Sequence, residues 1–240
     1  MTTLTIDIGN TLTKCAVFQN GEMLYAQNME HFEAGHIQAL LERFRLDGYI
    51  VSSVAQRPDF IPELLKGIKP VHFDHQTPIP IINRYETPET LGLDRLALAV
   101  AAAKLAPQTD VLVISAGTCI TYDFITAKGE YIGGAISPGL RMRARALHEY
   151  PERLPLVDLP ADSDYCGTNS TSAIQSGIVK GIQDEVNAKI SFFNEQKPLG
   201  KIFLTGGDQN YLVNSTKNRT FAIQNMVSIG LNEILQHNIK

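Results

Sequence analysis

The chain states one pattern twice. Residues 6–13 read IDIGNTLT and residues 114–121 read ISAGTCIT, with Ile, Gly and Thr recurring at matched places 108 residues apart. Each copy sits on a strand–turn–strand stretch. Around each, the apolar periodicity gives three strands, then helix, strand, helix. A repeat of that order points to a duplicated α/β domain, two similar lobes each closing its own core. Clefts between lobes are favoured ligand sites, so the duplication also directs the search for function.

The 240 residues divide naturally into two such lobes of roughly 100–130 residues, expected at 1–108 and 109–240, and 44% apolar residues suffice for two cores. A net charge of −4 without a Lys/Arg run gives no reason to expect a nucleic-acid partner. Three cysteines, Cys15, Cys119 and Cys166, show no CxxC spacing and fit reduced thiols. The N-terminus enters a strand directly, which predicts no secretory signal. The longest apolar candidate, LALAVAAAKLA, is shorter than the roughly 20 residues of a membrane span and carries Lys104. The expectation is a cytoplasmic protein with small-molecule partners and no membrane.

Residues 4–8 and 14–18 read as strands, and QNGE at 19–22 is a type I′ turn signal leading to a third strand over 22–28. The spacing predicts a helix over 34–45, a strand over 48–55 and a short helix over 58–68 with Pro58 in its first turn. Residues 74–88 read as a long loop. A helix rich in Ala and Leu follows over 87–106, then strands over 110–117, 118–125 and 131–137, and a helix opening at PGLRMRARALHEY. Residues 150–168 read as loop and 170–194 as a long helix. A strand over 201–207, a helix, a short strand near 219–223 and a last helix over 224–237 finish the chain.

Chemistry gathers in the turns. A glycine at a hairpin tip lets backbone amides approach an anion. Thr11 and Thr13 add hydroxyl donors beside Gly9, and Lys14 adds a point charge for phosphate. Asp7 can hold Mg²⁺ directly or through its waters, since Mg²⁺ is usually met by one or two carboxylates plus phosphate oxygens. One such copy is also explained by an ordinary turn with local Asp and Asn hydrogen bonds. Two copies in matched lobes favour a pair of hairpins bracketing a nucleotide triphosphate. GGAISPGL (133–140) and LTGGD (204–208) place paired glycines at strand ends before helices, where a flat ligand or a phosphate can come close. Close helix–strand packing is the competing explanation. Neither matches GxGxxG or GxxxxGK[ST], which excludes the Rossmann and P-loop readings. In YETPETLGLDR (85–95), Asp94 can accept or orient a hydroxyl proton and Arg95 can clamp a carboxylate in bidentate fashion. A helix cap with a surface salt bridge is the alternative. His72 and His75 of HFDH would project to opposite faces of a strand, which argues against a metal pair. The basic RMRAR run (141–145) reads as a solvated helix face.

Together, DIGNTLTK, GLDR, AGTCITYD, GGAISPGL and GTNSTSAIQSG, in this order over nearly the whole chain, resemble type III pantothenate kinases. These belong to the acetate and sugar kinase/Hsp70/actin superfamily of duplicated ribonuclease-H-like lobes. The resemblance implies an actin-like ATPase fold with a mixed sheet in each lobe and a cleft between them. It implies ATP-dependent phosphorylation of pantothenate to 4′-phosphopantothenate, the first step of coenzyme A biosynthesis. It further implies a divalent metal, a monovalent cation (K⁺ or NH₄⁺) and a homodimer. By position, Asp7, Ile8, Gly9, Asn10, Thr11 and Lys14 match the first phosphate motif, with Asp7 toward Mg²⁺. Gly92, Leu93, Asp94 and Arg95 match the pantothenate motif, with Asp94 as catalytic base and Tyr85 as a further pantothenate contact. Gly117, Thr118 and Thr121 match the second phosphate motif, and Asp123 the acid associated with the monovalent cation. Gly133, Gly134, Pro138, Gly139, Gly206 and Gly207 match the adenosine side. Two positions depart from the pattern. Ser115 stands where the second phosphate motif usually begins with Asp, and Ser170 replaces a Thr offered toward pantothenate from the neighbouring subunit. The same family includes a transcription accessory factor, so a regulator is one alternative, and a kinase of another small hydroxyl substrate is a second.

Overall fold

A computed structural model of the protein describes residues 1–9, 11–53, 58–213 and 215–239. Its first three strands, β1 (Thr2–Ile8), β2 (Thr13–Gln19) and β3 (Glu22–Met29), form an antiparallel meander. The β2–β3 turn carries Asn20 at φ 53° and Gly21 at φ 88°, the two left-handed residues that a type I′ turn needs. Helix α1 (Ala34–Arg43) leads to β4 (Gly48–Ser53), which pairs parallel to β1. The expected strand ran on to 55; residues 54–57 lie outside the described residues.

Helix α2 (Phe60–Leu64) is shorter than the predicted 58–68. Pro58 lies outside it, its carbonyl accepting from Ile61 N–H, and Gly67 turns the chain at φ 87°. The next residues form a strand that sequence reading missed, β5 (Lys69–His72). Pro70 hid it, yet β5 lies at the edge of the order β3-β2-β1-β4-β5, where a proline is tolerated. His72 therefore ends a strand, while His75 lies in the turn beyond it and places Nε2 2.9 Å from the Leu91 carbonyl. The opposite-faces argument does not apply to this pair. Among the described residues no group of three or more His, Cys, Asp or Glu could hold a metal ion. The 74–88 loop contains a two-residue strand, β6 (Ile82–Asn83).

The helix expected over 87–106 is divided. A 3₁₀ turn at Pro88–Thr90 gives way to extended Leu91, and α3 (Leu93–Leu105) begins after Gly92. Residues Arg95–Ala102 are all buried, as a helix apolar on every side must be.

The second meander comprises β7 (Val111–Ala116), β8 (Cys119–Ile125) and β9 (Glu130–Pro138). Helices α4 (Leu140–Glu149) and α5 (Ser170–Gln196) follow, then β10 (Lys201–Thr205), α6 (Asn210–Val213), β11 (Phe221–Ala222) and α7 (Met226–Asn238). Here β7 pairs antiparallel with β8 and parallel with β10, and β10 pairs parallel with β11. The order β11-β10-β7-β8-β9 thus repeats β5-β4-β1-β2-β3 strand for strand.

Compactness divides the chain into residues 1–105 with 225–240, and residues 106–224. The division differs from the expected 1–108 and 109–240 in its last helix. α7 packs on α3 and β1, and Thr3 Oγ donates to Asn232 Oδ1 at 2.6 Å in the interior, with a Lys104–Glu233 ion pair at 3.1 Å. The first core gathers Leu4, Ile6, Val17, Ile37, Tyr49 and Val51. The second gathers Leu112, Ile114, Ile120, Tyr122, Ile178, Ile182 and Leu204. Each fully buried Leu or Ile contributes about 1.5–3 kcal/mol.

Candidate active site

In the first unit, Asp7 pairs with Lys14 and Ile8 with Thr13, the last pair before the hairpin tip. Gly9 N–H donates to the Leu12 carbonyl at 3.1 Å and closes the turn. Thr11 is exposed and Lys14 half-buried, its Nζ 4.0 Å from Asp7 Oδ2. Asn10 of this motif lies outside the described residues. Asp7 itself is 8% exposed. Burial pushes its carboxyl up to about 6, Lys14 counters, and the charge of Asp94 adds to the rise. The structure thus brings the acid of the first phosphate motif and the expected catalytic base into each other's field. A desolvated carboxylate at the base of such a hairpin fits a divalent cation that would complete its shell with phosphate oxygens and water.

Asp94 is exposed in the first turn of α3, and its Oδ1 accepts from Arg95 N–H at 2.9 Å. A side chain at position 92 would meet that carboxylate at 2.6 Å, so Gly92 leaves Asp94 its place. Arg95 is 5% exposed, and its guanidinium lies 5.8 Å from the ring centre of half-buried Tyr85. Leu93 opens the helix. Tyr85, Gly92, Leu93, Asp94 and Arg95 therefore form one locality around the start of α3.

The second unit concentrates its glycines around the β7–β8 turn. Gly117 N–H donates to the Cys119 carbonyl, and Gly139 N–H to the Thr118 carbonyl, each at 3.0 Å. A Cβ at Gly139 would lie 2.1 Å from the Gly117 carbonyl, so the junction of β9 and α4 can approach the hairpin only with glycine there. Gly206 has φ 97°, and a Cβ there would lie 2.1 Å from the Ala116 carbonyl, which also accepts Asp208 N–H at 3.0 Å. Three motifs far apart in sequence, at 117–118, 138–139 and 206–208, converge on one spot. Gly207, by contrast, faces open space.

Gly133 and Gly134 do not lie at the strand end where sequence reading placed them. They stand inside β9, opposite Phe124 and Asp123, with Gly133 at φ 117° beside a register shift. A Cβ at Gly134 would lie 1.6 Å from the Tyr122 carbonyl, so strand crowding explains that residue. Four residues of strand lie between Gly134 and Gly139, which stand about 16 Å apart along it. Asp123 is fully buried; Tyr131 OH donates to its Oδ1 at 2.8 Å and Thr121 Oγ to its Oδ2 at 2.9 Å. Ser115 lies between Thr121 and Thr205 across the sheet. Ser170 is exposed at the start of α5, whose cap is Asn169, accepting from Ser172 N–H at 2.9 Å.

Sequence reading missed Asp208. Burial raises its carboxyl above the ordinary range, opposed by Arg141, whose guanidinium stands 4.0 Å away. Its signal was present in LTGGD, where the acid follows the glycines directly.

The sequence profile of type III pantothenate kinases matches residues 3–191. The chain belongs to this family. It is 40% identical over 239 residues to a type III pantothenate kinase of Phocaeicola vulgatus, with 99% of each chain covered. It is 41% identical over 237 residues to one of Bacteroides fragilis, with 98% of each covered. Among solved structures, a putative Baf family transcriptional activator from Campylobacter jejuni superposes with a TM-score of 0.56 at 23% identity, covering 98% of each chain. A ROK family glucokinase from Streptomyces griseus, in complex with glucose and AMPPNP, gives 0.53 at 11%, covering 99% of this chain and 100% of that one. These likenesses establish the fold of the family member, the actin-like and sugar-kinase fold with a mixed sheet in each unit. Among the described residues no helix is long and apolar enough to cross a membrane.

Proposed function

We infer that the protein transfers the γ-phosphoryl group of ATP to the hydroxyl of pantothenate, yielding 4′-phosphopantothenate for coenzyme A biosynthesis. Family membership supports the reaction. The observation that carries the residue roles is the buried carboxylate of Asp7 at the base of the first hairpin, with Lys14 4.0 Å away and the charge of Asp94 felt at it. Asp94 takes the proton of the attacking hydroxyl, and its exposure in the first turn of α3 leaves it accessible to substrate. Arg95, buried against Tyr85, presents a fixed fork to the pantothenate carboxylate. In the first unit the hairpin with Gly9, Asn10, Thr11 and Lys14 is a phosphate-binding element, and in the second unit the hairpin with Gly117 and Thr118 is another. Pro138, Gly139, Gly206 and Gly207 hold the nucleoside side. Asp7 would hold the divalent cation, which neutralises phosphate charge.

A monovalent cation belongs to the same proposal. Asp123 is fully buried with both oxygens accepting from hydroxyls, and in this reading it acts on the cation by orienting Thr121. Ser170 reaches pantothenate from a second copy of the chain, which makes the enzyme a homodimer. Cytoplasmic residence accords with the three free cysteines.

ADP release by the purified protein, coupled to NADH oxidation, tests the reaction. Pantothenate-dependent turnover is expected, with none on a panel of sugars and rates compared in K⁺ and Na⁺. Turnover on a sugar alone, or on nothing, would overturn the assignment. Light scattering checks the dimer.

A further inference from the structure

One polar cluster of the second unit centres on a residue outside every motif above. Glu185, in the middle of α5, receives three side chains from three other elements. Tyr122 OH from β8 donates to Oε1 at 2.8 Å, and Ser137 Oγ from β9 donates to Oε2 at 3.1 Å. Arg143 from α4 forms a short charge-assisted bond to Oε2. The same Arg143 guanidinium donates from Nη2 to Ser137 Oγ and from Nε to the Pro138 carbonyl, each at 2.9 Å. Both charged side chains are about three-quarters buried, at 22% and 25% exposure. Burial alone would raise the Glu185 carboxyl, but the bonds from Arg143, Tyr122 and Ser137 together outweigh it and hold it below the ordinary range.

We propose that Arg143 and Glu185 are positioning residues for nucleotide binding, fixing the Ser137–Pro138–Gly139 junction against the β7–β8 hairpin. Arg143 grips the two residues immediately before Gly139. Gly139 N–H in turn donates to the Thr118 carbonyl, and a Cβ added to it would lie 2.1 Å from the Gly117 carbonyl. A displacement of the junction therefore moves the hairpin that the nucleotide would touch. Neither charged side chain is part of that contact. α5 anchors the arrangement because its buried face, Ile178, Ile182 and Val186, is locked in the core beside Glu185. A planar guanidinium with separate Nε and Nη2 donors suits this geometry; a lysine ammonium is a single point and cannot serve Pro138, Ser137 and Glu185 with the same orientation.

The inference rests on the ATP reading for its functional consequence, but not for its structural one, and two measurements separate them. In steady-state kinetics, Glu185→Gln and Arg143→Lys should each raise the KM for ATP about tenfold or more, the scale on which a lost charge-assisted hydrogen bond acts. The KM for pantothenate should stay within about twofold. Tyr122→Phe, which removes one bond and leaves the Arg143 grip, should change the KM for ATP less than about threefold. In hydrogen–deuterium exchange of the ligand-free protein, peptides bearing the Gly117 and Gly139 amides should exchange faster in both charge variants, while β1 and β2 peptides stay unchanged. A uniform loss of kcat with lower thermal stability and an unaltered KM for ATP would show a merely structural pair and overturn the proposal. So would unchanged exchange at Gly117 and Gly139. Failure of the unmodified protein to turn over ATP would instead strike the kinase assignment, and exchange would still decide the clamp.

Discussion

Asp7 is destabilising by construction, and its removal should show this as a function of pH. The carboxyl is raised from 3.8 to about 6, first by burial and then by the charge of Asp94, with Lys14 opposing. At about 1.36 kcal/mol per pKa unit, that rise corresponds to roughly 2–3 kcal/mol. The sign follows from proton counting. Between pH 3.8 and about 6 the folded protein keeps a proton on Asp7 that the unfolded chain has released. Stability from this group is therefore full below pH 3.8 and is lost as pH rises through about 6. Asp7→Asn removes the dependence while nearly conserving shape. Urea unfolding of both proteins, followed by circular dichroism at several values between pH 4 and pH 7.5, isolates Asp7, because other titrating groups cancel in the difference. The variant should gain roughly 2–3 kcal/mol relative to the parent across that range, with most of the change below pH 6.5. It should also lose activity if the acid serves the phosphate site. Lys14→Met should shift the parent's transition to higher pH by deleting the opposing charge. Parallel stability curves for parent and Asp7→Asn would refute the claim that burial and Asp94 strain this carboxylate.

Three further outcomes follow from the geometry. Asp94→Asn should lower kcat about 10²- to 10⁴-fold while the KM for ATP changes little, measured by the coupled assay; near-normal turnover would remove Asp94 as the base. Gly206→Ala should lower stability by at least ~2 kcal/mol in urea unfolding, because φ 97° disfavours any Cβ and the Ala116 carbonyl would stand 2.1 Å away. Cys15 should resist thiol reagents in the native state, its thiol pushed up to about 12 by burial and then by Asp7, while exposed Cys166 reacts at once. Mass spectrometry after brief labelling reads this last outcome directly.

Much of the site was legible because it is written in contiguous chemistry. The duplicated hairpins, the type I′ turn at Asn20–Gly21 and the glycine-bearing strand ends depend on period-two alternation and turn residues, which neighbours in sequence specify. Other features were not legible because they depend on partners distant in the chain. The repeat itself is an example. Residues 6–13 and 114–121 align without a gap, yet Asp7 pairs with Lys14 while Ser115 pairs with Thr121, so the second turn is one residue shorter and the two aligned threonines are not equivalent. Gly133 and Gly134 resembled a ligand-facing pair until strand pairing placed them inside β9.

The sequence by itself determined the duplication, the order of most elements and the residue types at each turn, since local sterics and hydrogen bonding fix these within a few residues. Only the tertiary structure decided that α7 returns to the first unit, that Asp94 bears on the ionisation of Asp7, and that Glu185 ties β8, β9 and α4 to α5. Those outcomes are set by desolvation and packing between groups tens to hundreds of residues apart, and no local pattern carries that information.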